Sequence, residues 1–235
     1  MTNEHLLHAF DRDLEQIRAD VLRMGRLALA ALDGAAEVLF SHDATRAQAV
    51  IAGDATIDAI EEAVGAEAAR VIALHAPAAS DLRMVLAILK MSSDLERAGD
   101  HAKTIARRSM TIDGLPADPE VREILKDVAA KVRQMLSDAM DAFTRSDADM
   151  AEEVRQRDFE VDELYNSFVR AALGRMGETG ADPAAELQLQ FAAKDLERIG
   201  DHATNLAEQV IYLATGQTPA EPRPKGEAAI PPQGD

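Results

Sequence analysis

Two tandem, antiparallel three-helix bundles, all-α and pseudo-symmetric, are the fold this sequence predicts, on three observations. The stretch "DLERAGDHA" beginning at Asp94 returns as "DLERIGDHA" at Asp195, 101 residues further on. Hydrophobic residues make up 47% of the 235, yet aromatics are only 3% and tryptophan is absent. The core must therefore be built from Ala, Leu, Val, Ile and Met, as in helical bundles. Apolar residues recur at spacings of three and four, and no segment shows the period-two alternation of a strand.

The elements follow in order. "GRLALAALDGAAEVLF" carries the helical spacing of a first helix, roughly 3–41, which stops at the polar "SHDA". "AVIAGDATIDAIEEAVGAEAARVIAL" marks a second, roughly 44–75, closed by the turn "LHAPAAS" with Pro77. The third, roughly 80–112, holds the first repeat and ends before Pro116 and Pro119. A fourth, roughly 118–145, breaks at "RSDAD". A fifth, roughly 148–176, runs into "GETGADP". The sixth, roughly 184–216, holds the second repeat. Short connections imply antiparallel neighbours. The chain divides into residues 1–113, residues 118–217 and a tail of residues 218–235. Five of the nine prolines lie in that tail, which has little to bury and is expected to be disordered.

Composition excludes several functions. There is no cysteine, so disulfides, thiolate metal sites and cysteine nucleophiles are out. The formal charge is −17, which disfavours direct binding to nucleic acid or anionic lipid. Cations and basic protein surfaces are the natural partners. The first residues lack a basic segment followed by an apolar run, so no signal peptide is expected. The most apolar stretch is broken by Asp33 and Glu37 and is too short to span a bilayer. A cytoplasmic protein is the expectation.

The acidic residues fall into register. Positions i and i+4 share a helix face. Asp54 with Asp58, Glu96 with Asp100, Asp158 with Asp162, and Glu197 with Asp201 are four such pairs. Folding the first hairpin about Pro77 sets Asp58 opposite Glu96 and Asp54 opposite Asp100. Folding the second within "GETGADP" sets Asp162 opposite Glu197 and Asp158 opposite Asp201. On a helical wheel Glu96 and Asp100 fall away from the face of Met84, Ile88, Met91, Leu95, Ala98, Ala102 and Ile105. Each quartet should thus line a groove on the outside of its bundle. A solvated acidic face is the bland alternative. However, like charges at this spacing repel, and two quartets in register compound the cost. A hard-cation site for Mg, Mn, Fe or Ca explains them better. Gly99 and Gly200, each costing about 1 kcal/mol inside a helix, would let a neighbouring helix or an ion come close.

These residues carry a resemblance. "PAASDLRMVLAILKMSSDLERAGDHAKTIA" in the first half resembles the PhoU family of bacterial phosphate regulators. So do "RDFEVDELYNSFV" and "KDLERIGDHATNLAE" in the second. The likeness covers residues from about 5 to 216. It implies a six-helix protein whose paired acidic motifs hold multinuclear metal clusters, of Fe, Mn, Mg or Zn. The ligands carried over are Asp54, Asp58, Glu96, Asp100, Asp158, Asp162, Glu197 and Asp201. It further implies a non-enzymatic negative regulator of phosphate uptake and of the phosphate-starvation response. Such a regulator bridges the transporter ATPase PstB and the sensor histidine kinase PhoR, at the inner membrane through those partners, and a homodimer is expected. Ala98, where the second copy has Ile199, and the proline-rich tail depart from the pattern.

Other residues admit two readings. Asp94, Arg97 and His101 share one stripe, as do Asp195, Arg198 and His202. They could form a salt-bridge row between bundles or helices. His101 and His202, each directly following an acidic candidate, could instead ligate metal. His75 ends a helix, where a cation suits the dipole. His5, His8 and His42 are expected at the surface. A di-iron-type helical protein unrelated to phosphate is the alternative function. Its Glu-x-x-His motif is missing, because Gly99 and Gly200 stand three residues after Glu96 and Glu197. A scaffold without metal is the other rival.

Overall fold

The computed structural model describes residues 3–111, 119–175, 183–223 and 226. Its helices are α1 (Asn3–Ser41), α2 (Ala44–His75), α3 (Ser80–Ser109), α4 (Pro119–Arg145), α5 (Ala148–Arg175) and α6 (Pro183–Thr215). No strand occurs among the described residues. The expected boundaries agree to within a few residues. Pro119 and Pro183 open their helices, where a missing N–H costs nothing.

Local chemistry sets the first turns. Asp43 caps α2, its Oδ1 accepting from the amides of Thr45 at 2.8 Å and Arg46 at 3.1 Å. Ala76 closes α2 in the left-handed region (φ 45°), and its N–H donates to the Ile72 carbonyl. Ala79, with φ 49° and ψ −113°, precedes α3 without a side-chain cap. Pro77 lies between these two alanines and cannot continue the helix.

Helices α1, α2 and α3 pack together as one bundle, and α4, α5 and α6 as a second. Across the seam α3 packs on α6 and α1 on α4, leaving α2 and α5 outermost. One aliphatic core runs through both bundles. It includes Ile17, Val21, Leu32, Ile57, Ile88 and Leu95 on one side and Val128, Val132, Leu136, Val161, Phe168 and Leu196 on the other. Polar clamps close the α1–α4 contact. Arg18 Nη2 donates to the carbonyls of Phe143 and Thr144 at 3.2 and 3.0 Å. Arg133 Nε reaches Asp33 Oδ1 at 2.7 Å.

The segment beyond Thr215, expected to be disordered from residue 218, lies partly within the described residues. Residues 218–223 form no helix, and Glu221 and Arg223 contact α5 and α6. The rest of the tail, apart from Gly226, lies outside the described residues.

Candidate functional site

Each hairpin sets its four carboxylates near enough for their charges to act on one another, but not on an open surface. Asp54 is only 3% exposed. α3 covers it at Gly99, where a Cβ would come within 3.6 Å of Asp54 Oδ1 and 2.8 Å of Ile57 Cδ1. Lys103, one turn beyond Asp100, donates from Nζ to Asp54 Oδ2 and, at 3.1 Å, to Asp100 Oδ1. The ammonium bridges the two helices of the first quartet. Asp54 Oδ1 is buried without a hydrogen-bond partner. Asp58 is exposed and Glu96 half-buried at the other end of the groove. Burial, and then the charge of Asp100, push the Glu96 carboxyl above its ordinary range. Burial and Asp54 do the same to Asp58.

The second quartet is built differently at one point. Thr204 stands where the first repeat has Lys103, so α6 offers a hydroxyl in place of a cation. Thr204 Oγ1 donates to Asp158 Oδ1 at 3.1 Å. Asp158 is 3% exposed, and burial raises its pKa to about 6 against the opposing pull of Arg223. Arg223 comes from the tail. Its Nη2 donates to Asp201 Oδ1, and its Nε lies 3.3 Å from Asp158 Oδ2, an ion pair without hydrogen-bond alignment. Glu197 is mostly buried with Lys194 Nζ at 2.7 Å from Oε2, and its pKa is raised chiefly by burial.

Two expectations change here. The outward-facing groove holds for Asp58 but not for Asp54 or Asp158, which α3 and α6 bury. A wheel drawn for one helix and its core omits the helix packed over its flank. His101 and His202 do not belong to the quartets. His101 Nδ1 lies 3.1 Å from Asp195 Oδ1, and His202 Nδ1 lies 2.8 Å from Asp94 Oδ1. The two rings stack with centroids 5.7 Å apart. The repeated histidines and aspartates thus exchange across the α3–α6 seam, which the 101-residue repeat makes pseudo-symmetric. Of the stripe residues, the histidines and aspartates form the seam through Nδ1 of each ring, while Arg97 and Arg198 stay exposed beside Glu96 and Asp195 on their own helices. His42 is also half-buried, with Nδ1 3.0 Å from the Ser109 carbonyl.

The quartets suit a hard cation in chemistry, with oxygen donors only, buried carboxylates, and oxygens without a hydrogen-bond partner at Asp54, Asp158 and Glu197. A side-chain cation already bridges each pair of helices, Lys103 in the first and Arg223 in the second. Among the described residues no three His, Asp or Glu side chains converge into a ligating set. The side chains are arranged about ammonium and guanidinium groups instead. Sequence reading missed both cations. The loss of charge from Lys103 to Thr204, directly after the repeated nine residues, was the signal that could have found them.

The sequence model of the PhoU domain matches residues 21–109 and 125–210, one match in each bundle. A phosphate-specific transport system accessory protein PhoU homolog of Xylella fastidiosa is 34% identical over 223 residues, 95% of this chain and 92% of that protein. The homolog of Caulobacter vibrioides is 38% identical over 222 residues, 94% of this chain and 96% of that one. The crystal structure of PhoU from Pseudomonas aeruginosa superposes with a TM-score of 0.85 at 38% identity, over 88% of this chain and all of that one. The phosphate transport system regulatory protein PhoU from Streptococcus pneumoniae gives 0.83 at 30%, over 90% of this chain. With both repeats matched and the six-helix fold shared along nearly its whole length, the chain belongs to the PhoU family.

Proposed function

We propose that this protein is a non-enzymatic accessory regulator of phosphate transport. In this reading it restrains phosphate uptake and the starvation response, contacting the transporter ATPase PstB and the sensor kinase PhoR. The observation that carries it is the match to accessory proteins of the phosphate-specific transport system along more than nine-tenths of each chain. Two physical features support it. No helix among the described residues is long and apolar enough to cross a membrane, so contact with membrane components would run through partners. The charge of −17 favours basic protein surfaces. A cytoplasmic location and a homodimer belong to the same reading.

The reading includes cation binding at both quartets. A bound Mg, Mn, Fe or Zn ion, or a cluster of them, would supply positive charge that joins carboxylates from two helices. Asp54, Asp58, Glu96 and Asp100 would hold it in the first bundle, and Asp158, Asp162, Glu197 and Asp201 in the second. The buried, unpartnered Asp54 Oδ1 supports this. The di-iron oxidase alternative lacks its Glu-x-x-His motif, since Gly99 and Gly200 stand three residues after Glu96 and Glu197.

Deleting the gene in its host tests the regulatory part. Phosphate-responsive genes should stay on in high phosphate, and normal repression in the deletion strain would sink the proposal. Calorimetric titration of Mn into chelator-stripped protein tests the metal part. Asp58→Asn with Glu96→Gln should abolish binding in the first bundle and spare the second, and Asp162→Asn with Glu197→Gln should do the reverse. Unchanged binding in the quadruple variant would refute the assignment.

A further inference from the structure

Three contacts tie the tail to one face of α5, in matching order. Arg155, itself 4% exposed, donates from Nη2 to the Glu221 carbonyl at 2.8 Å. Arg223 pairs with Asp158 and with Asp201 on α6. The Gly226 amide donates to Asp162 Oδ2 at 2.9 Å. Residues 155, 158 and 162 rise along a single helical face, so the contacts of Glu221, Arg223 and Gly226 follow α5 in chain order. Gly226 sits so close that a Cβ would meet Asp162 Cβ at 2.8 Å and Glu163 Oε1 at 2.9 Å. A loose charge contact would not demand glycine there.

The repeat supplies an independent reason. The first quartet carries its own cation, because Lys103 joins Asp54 and Asp100 from within α3. The equivalent Thr204 brings no charge, and Arg223 fills the same role against the equivalent carboxylates, Asp158 and Asp201. We infer that the second quartet is a docking site for this chain's own tail, held at Glu221, Arg223 and Gly226. Arg223 acts there as a tethered cation that an external cation must displace. The first quartet has a fixed occupant and the second a removable one, so the two differ in access. The access step rests on the cation reading proposed above; the docking does not.

The tether from Thr215 to Arg223 is short, which gives the guanidinium an effective concentration on the order of millimolar. A segment docked about nine-tenths of the time lowers the apparent affinity of a competitor about tenfold. Salt weakens the contact, because charge pairs at a partly exposed groove are screened.

Two measurements on the full chain test this, in parent, Arg223→Gln and Thr204→Lys proteins. The first is amide hydrogen exchange at Gly226 in chelator-stripped protein. The parent should protect that amide at least about tenfold relative to Arg223→Gln, and Thr204→Lys should lose protection because the new ammonium replaces the guanidinium. Equal exchange in parent and Arg223→Gln overturns the docking. The second is Mn titration in an Asp58→Asn/Glu96→Gln background, which isolates the second quartet. Arg223→Gln should bind about tenfold more tightly than its parent. Equal affinities with a protected Gly226 overturn the displacement. Protection at Gly226 with no Mn binding by either protein overturns the cation reading and leaves the docking standing.

Discussion

His202 on α6 stands 2.8 Å from Asp94 on α3, and the repeat returns the contact as His101 to Asp195 at 3.1 Å. Asn205 adds a second donor to Asp94 at 3.0 Å, and Arg108 a second to Asp195 at 3.3 Å. The stacked rings link the two pairs at the centre of the seam. Replacing His202 by Ala should cost about 1–2 kcal/mol, because Asp94 is left with Asn205 alone. A double-mutant cycle with His101→Ala, followed by urea unfolding, should show a coupling of about 0.5–1 kcal/mol. Strict additivity would mean that the two pairs act separately.

Lys103 neutralises a carboxylate that is almost wholly buried. Its hydrogen bond to Asp54 raises the pKa of the ammonium, so it is charged throughout the working range. Lys103→Ala should destabilise metal-free protein by about 3 kcal/mol, since an uncompensated buried charge remains. Adding Asp54→Asn should recover much of that loss. Thermal unfolding in chelator checks both, and an additive double variant would show that the pair is not coupled.

Asp158 makes stability depend on pH. Its pKa rises from 3.8 to about 6 in the folded state. Below about pH 4 folded and unfolded states are both protonated, and the full stabilisation is present. Between about 4 and 6 the folded protein keeps a proton that the unfolded chain has lost. Stability therefore falls as pH rises through this window, by on the order of 3 kcal/mol, and is flat above it. Asp158→Asn should remove this slope. Urea unfolding of chelator-stripped protein from pH 4 to 7 measures it, and an identical slope in the variant would assign it elsewhere.

The two repeat glycines should respond differently to alanine. A Cβ at Gly99 would press on Ile57 Cδ1 at 2.8 Å, whereas one at Gly200 would meet Val132 and Val161 at an ordinary 3.5 Å. Gly200→Ala should therefore gain up to about 1 kcal/mol from helix propensity. Gly99→Ala should gain less or lose, because Ile57 must move. Equal shifts in melting temperature would contradict the packing difference.

The α2–α3 turn stores backbone strain in alanines. Ala76 and Ala79 hold φ values of 45° and 49°. Glycine at either site should stabilise by about 1 kcal/mol, observed as a rise of a few degrees in melting temperature.

The six helices, the two bundles and the register of the eight carboxylates are legible from the amino-acid order. Those features depend on local periodicity and on hairpins whose turns are marked by Pro77 and by "GETGADP". Both members of each acidic pair lie on one helix, and the hairpin sets their partners, so short-range geometry sufficed. It could not reveal burial. Whether Asp54 and Asp158 face water depends on how closely α3 and α6 lie over them, which long-range packing decides. The histidine stripes were legible as stripes, yet their partners sit across a seam about a hundred residues away in the chain. Only the packing of α3 on α6 creates that seam. Tertiary packing also decided which cation enters each quartet, since Arg223 reaches Asp158 only after the whole of α6 has folded back along α5.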